Sequence, residues 1–545
     1  MWDAYIEFYS KVLDGGGFGI WWAPHNEHRL LLTRLFCWVD LAWLNAGVWP
    51  LLVVIYLVVV ASAVVFWLML RELAGTAKPE PGEIVIGLFV TGCLFLWMQF
   101  ENLTFAVQIQ YVLAQFLPLC ALHSLHKSTA HVNSKLHFLL ACAFGLAAVG
   151  TMTNGILALP LMTLYSLLTR QGAVRTCVLA TLSLSAILLY FHDYQPPAHH
   201  GDFSKTLTEQ FPAFCEYILL YLGSPFYYLL GGFIGKYVPA LGALGRIIYW
   251  FAKLTAILAG LFLLAASARL AIKSLHKPRQ ATLPLALLFF ILYIGGTAFG
   301  TAGGRVAFGV DQALSSRYTT SALMAWCALL LLYSPALLAA FQSGSKGYRV
   351  PFALLISSMT VFQFSALRSQ DEKQFERKIA ALALELQVKD QKQVEKSYPD
   401  LQRALIIADR ASARKISIFG SYPFRDAREH LDAGVPDLSP TSCEGRLDVA
   451  ESIDGDARLV RVSGWIFDPA SRAYPAVIRF LDNKRRVVGY ALAGKVRPDL
   501  ADAIDKRALK AGYTGYVLAD QRDSTLTLLG DDPSCQMHAS VSTGS

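Results

Sequence analysis

Apolar runs of membrane-crossing length recur along most of this chain, and that feature decides what it can fold into. About 30 Å of hydrocarbon is crossed by roughly 20 helical residues, and only helices or closed barrels satisfy every backbone group there. The clear runs are 50–70, 84–100, 247–270, 281–300 and 321–341. Shorter or interrupted runs are 104–123, 136–150, 152–168, 176–191 and 351–367. Together they predict a mostly α, polytopic membrane protein with about ten spanning helices. Composition points the same way: 54% of the 545 residues are hydrophobic and 16% are charged. Soluble domains average roughly 45–50% and about 25%. A purely soluble protein, a disordered chain, a collagen and a small disulfide scaffold are all excluded. The segment Leu35–Val48 is apolar but too short to span and carries Asp40, so it reads as a helix lying in the interface.

The net charge of +8 does not point to nucleic acid, because Lys and Arg are scattered through short loops rather than gathered with aromatic side chains. Arg71 and Lys78, Lys127 and Lys135, Arg170 and Arg175, Arg269 to Arg279, and Lys346 and Arg349 all fall on one predicted side. Positive charge in short loops marks the cytoplasmic face. The other face then receives residues 1–48, the loop 192–245 with His192, His199, His200 and many aromatics, the loop 301–320, and everything after 367. An outer N-terminus without a signal peptide leaves two routes. Either a first helix precedes this sequence, or the short N-terminal segment is translocated unaided.

Residues 1–367 therefore read as a membrane domain, 368–443 as a helical linker on the outer side, 444–536 as a β-sandwich and 537–545 as a tail. Phe375, Ile379, Leu382 and Leu386 recur at helical spacing in the linker. Alternating segments at 459–465, 476–481 and 486–490, separated by Asp-Gly, Asp-Pro and Asp-Asn turns, carry the β reading. Cys443 and Cys535 bracket that region, which fits a disulfide in an oxidising compartment or two free thiols. The other seven cysteines lie in or beside apolar segments and read as small hydrophobic filler.

Chemistry concentrates in two outer segments. His25-Asn26-Glu27-His28-Arg29, followed by Arg34, stands beside the interfacial helix. A carboxylate there can take a proton from an acceptor hydroxyl, and guanidinium groups match phosphate oxygens in bidentate fashion. The competing reading is a solvated loop anchored by Trp21 and Trp22. The order His-Asn-Glu-His is not a zincin motif and no third ligand lies nearby, so metal is not read here. The second segment runs from Gly303 to Tyr318 and holds Arg305, Asp311, Arg317 and Tyr318. Arg305 and Arg317 can neutralise a leaving phosphate. Glu101, Gln108, Gln110 and Asn154 are polar residues in or beside apolar runs; hydrogen bonds between helices account for them as well as a cavity does.

This pattern resembles the GT-C superfamily, integral-membrane glycosyltransferases that use polyprenyl-phosphate-linked sugars. The resemblance covers roughly residues 1–367 and rests on the number of spans, the carboxylate and arginines beside an interfacial helix, and later aromatic outer loops. It implies that Glu27, with Asp3 as rival, is the catalytic acidic residue. It implies that His25, Asn26, His28, Arg29, Arg34, Gln108, Arg305, Asp311, Arg317 and Tyr318 bind substrate. No cofactor is demanded, since arginine alone can neutralise the phosphate. The donor would be a polyprenyl-phosphate sugar and the acceptor a glycan or lipid-linked glycan. The setting would be a bacterial plasma membrane, with the C-terminal domain periplasmic. Val462-Ser463-Gly464-Trp465 and Arg497-Pro498-Asp499 are similar to segments of accessory domains on bacterial surface-glycan proteins. The rival functions are a lipid-linked glycan transporter or flippase and a glycan polymerase or ligase. A transporter predicts internal repeats and charges along the midplane, and neither is evident in the sequence.

Overall fold

The computed structural model describes residues 3–44, 46–129, 133–194, 201, 203–232, 241–342, 346–367, 371–436, 440–521 and 524–541. His199 and His200 lie outside these residues, as do the side chains of Asp3, Lys346 and Arg349. The chain forms two compact units. One comprises Gly16–Asp40 and Val48–Leu367; the other comprises Met1–Gly15, Leu41–Gly47 and Arg368–Ser545. The first residues and a piece of the interfacial segment thus cluster with the C-terminal part, whereas the sequence reading kept 1–367 together.

Among the described residues, seven helices of the first unit are long and apolar enough to cross a bilayer: Trp49–Ala74, Pro81–Thr104, Ala106–Lys127, Ala173–Phe191, Gly242–Leu275, Thr282–Phe308 and Ser316–Gln342. Large apolar side chains such as Leu57, Leu88, Leu188 and Leu258 are exposed on their outer faces, which suits hydrocarbon better than water. Two expected spans are shorter. Ser134–Val149 has 16 residues and Ala158–Thr169 has 12. At 1.5 Å per residue these fall short of the bilayer core. They are joined by the turn Gly150–Leu157, where Gly155 sits so close to Ala148 that an added Cβ would lie 1.9 Å from its carbonyl oxygen.

A further difference lies in 192–245, expected to be an outer loop. It contains a 19-residue helix, Phe211–Leu229, whose Phe214, Tyr217, Tyr221, Tyr227 and Tyr228 are buried. Glu216 and the aromatic residues mask it as polar loop in the sequence. Its Gly223 lies against the Ala256 carbonyl, where a Cβ would come within 1.8 Å, so it docks closely on Gly242–Leu275.

Contacts order the helix ends. At one end Glu72 accepts from His126 at 2.7 Å and Lys127 at 2.6 Å, His126 meets Thr282 at 3.0 Å, and Arg175 donates to the Ser128 carbonyl at 2.9 Å. The opposite ends of those same helices carry Tyr111, Tyr190 and Arg305. The basic loops and the candidate site therefore occupy opposite ends of the unit.

In the second unit the expected β-sandwich is replaced by one curled eight-stranded sheet, in the order β3-β10-β9-β6-β7-β8-β5-β4. Its strands are β3 (Thr441–Ser442), β4 (Glu444–Ile453), β5 (Asp456–Phe467), β6 (Val477–Leu481), β7 (Val487–Lys495), β8 (Gly512–Leu518), β9 (Thr525–Asp531) and β10 (Cys535–Ser540). β3 pairs with β10 and β4 pairs with β5, so one stretch of chain joins both ends of the sheet. Two separate sheets would need two inner faces. Here a single inner face closes on Val460, Val462, Ile466, Phe480, Val517 and Leu528. Helix Asp371–Glu385 buries Phe375, Ile379 and Leu382, and Leu386 is buried just beyond it. Asp390 receives Arg461 at 2.9 Å and the Tyr516 hydroxyl at 3.0 Å, tying this segment to β5 and β8.

Cys443 and Cys535 form a disulfide across the closure, 92 residues apart. A cross-link over a loop of that size contributes about 4.6 kcal/mol in the chain-entropy account. Scanning calorimetry of the full chain should show the transition of this unit lowered by Cys535→Ser, with no further fall when dithiothreitol is added.

Candidate functional site

Pro24–His25 and His28–Arg29 pair as a two-residue β-hairpin, β1 and β2, with Asn26 and Glu27 at its tip. Asn26 takes the left-handed conformation (φ 50°), which asparagine tolerates better than most residues. The turn presents the Glu27 side chain, which meets Arg305 at 2.6 Å although 278 residues separate them. His28 Nε2 lies 3.5 Å from the same carboxylate oxygen. The Thr153 amide donates to His28 Nδ1 at 3.3 Å, and the Tyr190 hydroxyl reaches the Glu27 carbonyl at 3.3 Å. Thr153 belongs to the turn between the two short helices, so the hairpin rests on that turn. Burial alone raises the Glu27 pKa. His28 and Arg305 outweigh it and hold the carboxyl below its ordinary value of 4.5.

Arg305 ends the helix Thr282–Arg305, and Arg317 opens the helix Ser316–Gln342. The Tyr318 hydroxyl lies in the fields of Arg317, Arg305 and Glu27, and so does that of Tyr111. Tyr318 also packs against Tyr221, with ring centres 5.2 Å apart. Arg317 lies 3.6 Å from Glu101 and donates to the Ser315 hydroxyl at 3.1 Å. Asn102 anchors this helix start by donating to the Arg317 carbonyl at 2.8 Å and to Thr320 at 2.7 Å. Two acids, Glu27 and Glu101, two guanidinium groups and a group of tyrosines are thereby brought together from distant segments.

Two arginines expected to bind phosphate have a different task. Arg29 is buried and donates to three backbone carbonyls, those of Tyr190 at 2.8 Å, Trp22 at 2.7 Å and His192 at 2.5 Å. Arg34 is buried and donates to the carbonyls of Trp21 at 2.9 Å and Ala23 at 2.5 Å. Both are staples for the hairpin, since an irregular segment leaves carbonyls without partners that a guanidinium fork can serve. His25 pairs across the hairpin with His28. Gln108 ends a short turn before Ile109–Lys127, and its Oε1 is buried without a donor among the described residues.

Asp311 stands apart from the Glu27 group in a second cluster. It receives Lys253 at 3.1 Å and the Tyr249 hydroxyl at 2.6 Å, while Lys253 also meets Glu216 at 2.9 Å. Sequence reasoning passed over Lys253 and Glu216. Each is a lone charge in an apolar stretch, which is the signal that would have found them. Tyr111, Thr153 and Tyr190 carried no such signal. Among the described residues no group of three His, Cys, Asp or Glu side chains converges as for a metal ion. No family model, curated protein or solved structure matches this chain.

Arg29→Ala should cost about 3 kcal/mol or more, the scale of losing hydrogen bonds from a charged donor to buried acceptors. Thermal unfolding in detergent should show that loss, while Arg305→Gln should leave the transition close to wild type. The depressed Glu27 pKa contributes stability that is present above the unfolded value and lost as pH falls through the lower folded one. The difference in melting temperature between wild type and Glu27→Gln should accordingly shrink as pH falls below the ordinary 4.5.

Proposed function

We propose that the protein is a membrane glycosyltransferase of the GT-C kind, moving a sugar from a polyprenyl-phosphate donor to a glycan or lipid-linked acceptor. The observation that carries this reading is the meeting of Glu27 with Arg305, next to Arg317 and the tyrosines, at the end of the helical unit opposite its basic loops. In this reading the two short helices and Lys346–Gln363 complete about ten membrane helices. The site faces outward from a bacterial plasma membrane by the positive-inside rule. The disulfide of the other unit supports a non-cytosolic position for that unit.

The acceptor hydroxyl oxygen forms a bond to the anomeric carbon while the bond from that carbon to the phosphate oxygen breaks. The hydroxyl proton passes to Glu27. The departing phosphate carries the electron pair and is stabilised by Arg305 and Arg317. A carboxylate held below its ordinary pKa by arginine is ionised at neutral pH but a poor proton acceptor. Donor phosphate competing for Arg305 removes that restraint, so the base becomes stronger only when donor is bound. His28 and Tyr318 hold the acid and the guanidinium groups in place. His25, Asn26, Gln108 and Asp311 have no assigned step.

The rival reading is a lipid-linked glycan transporter. The observation that favours it is the Lys253–Glu216–Asp311 cluster, because charges in apolar helices often mark a permeation route. The two readings separate in one experiment. Purified protein in liposomes is given polyprenyl-phosphate sugars and candidate acceptors, and both transfer and translocation are measured. Transfer that falls at least about 100-fold in Glu27→Gln and in Arg305→Gln, the usual range for losing a general base or a charge-stabilising group, supports the transferase. Full transfer in both variants removes the site assignment. Translocation without transfer replaces the reading altogether.

A further inference from the structure

The second unit carries a cleft of about 590 Å³ at the place where its sheet closes on itself. Ligand sites commonly occupy 300–1,000 Å³. The cleft arises from topology. β3 pairs with β10 only through Thr441 and Ser442, and from Glu444 onward the chain pairs with β5 instead. Beyond that switch β4 and β10 diverge, and the wedge between them stays open. Gly445 allows the two strands their close approach at its apex: a Cβ there would lie 2.5 Å from Met537 Sδ and 2.5 Å from the Trp465 carbonyl.

Strand alternation decides what faces the wedge. Cys535 and Met537 point into the core, so Gln536 and His538 point outward. Ile466 points inward, so Trp465 points outward. Cys443 is buried and Glu444 is exposed. Ser442, Glu444, Trp465, Gln536 and His538 therefore line one open surface. His538 is oriented by a contact of 3.1 Å between its Nδ1 and the Thr527 hydroxyl. Trp465 is braced from behind by Phe467, Leu500 and Ala508.

We infer that this cleft binds a neutral saccharide. Among the described residues lining it there is no Lys or Arg and Glu444 supplies negative charge, while Arg446, opposite Trp465 on the neighbouring strand, lies 3.7 Å from Asp448; the lining itself offers an anion no cation. One carboxylate and one imidazole do not make a metal site. A purely apolar ligand would leave Glu444, Gln536 and His538 facing it unpaired. A sugar ring matches each element: its C–H face lies on an indole, and its hydroxyls donate to a carboxylate and exchange hydrogen bonds with an amide and an imidazole. The disulfide sets the spacing, because Cys443 immediately precedes Glu444 and Cys535 immediately precedes Gln536, with Cα atoms 5.3 Å apart. The disulfide, with the Cys443 amide donating to the Gln536 carbonyl at 2.9 Å, thus holds the two polar side chains side by side. This inference does not depend on the transferase reading, because binding here requires no chemistry in the helical unit.

The test uses the full chain in nanodiscs with maltohexaose, cellohexaose and an α-mannohexaose as probes, read by saturation-transfer NMR and titration. Wild type should bind at least one of the three. Glu444→Gln and His538→Ala alter exposed side chains outside the core, and each should weaken binding about tenfold, the loss of one charged or oriented hydrogen bond. Trp465→Ala should abolish saturation transfer to the ring C–H protons. Dithiothreitol should weaken binding in wild type. Failure of wild type to bind any of the three hexasaccharides overturns the inference, and so does binding that Glu444→Gln and His538→Ala both leave unchanged. Neither result bears on Glu27, whose transfer assay stands separately.

Discussion

The arrangement of the helical unit depends on one guanidinium group. Arg29 is buried and serves three backbone carbonyls drawn from two segments, one before the hairpin and one at the end of the helix Ala173–Phe191. Irregular chain packed among apolar helices has few ways to satisfy its carbonyls, and an unsatisfied one costs several kcal/mol in an apolar setting. A single fork of donors solves that problem and pins the hairpin at once. The Tyr190 hydroxyl donates toward the Glu27 carbonyl and accepts from the Arg29 amide, so the same tyrosine fixes both ends of the turn. Glu27 is placed by this framework rather than by its own ion pair.

Two short helices supply the other half of the geometry. They end at Gly150 and resume at Ala158, with a turn that brings Thr153 beneath the hairpin. The same turn is tied to the helix that ends at Arg305, because the Asn154 side-chain amide donates to the Thr297 hydroxyl at 3.2 Å. The hairpin and Arg305 thus share one support.

How legible this was in the sequence varies with the range of the interaction. The five clearest spans were visible because twenty apolar residues in a row have few alternatives. Helix Asp371–Glu385 was visible from the spacing of Phe375, Ile379 and Leu382. Helix Phe211–Leu229 was not, because its core contacts are tyrosines, which read equally well as an interface belt. Arg29 and Arg34 show the same limit: arginine in a polar loop looks the same whether it serves a ligand or a carbonyl, and only the packed chain shows both on carbonyls. The β-sandwich failed because strands show their inner and outer faces but not which edges meet.

By itself the sequence determined that long apolar helices recur through the first two thirds of the chain and that a separate β unit follows. These are local properties, set by runs and alternations within a few dozen residues. Only the tertiary structure decided that Glu27 meets Arg305 while Arg29 serves backbone carbonyls, that Asp311 belongs with Lys253, and that β3 and β4, consecutive in the chain, form the two ends of one sheet. Each of these joins residues that are distant in the chain. Which partner a charged side chain takes depends on what the packed helices bring within a few ångströms of it, and no local pattern records that.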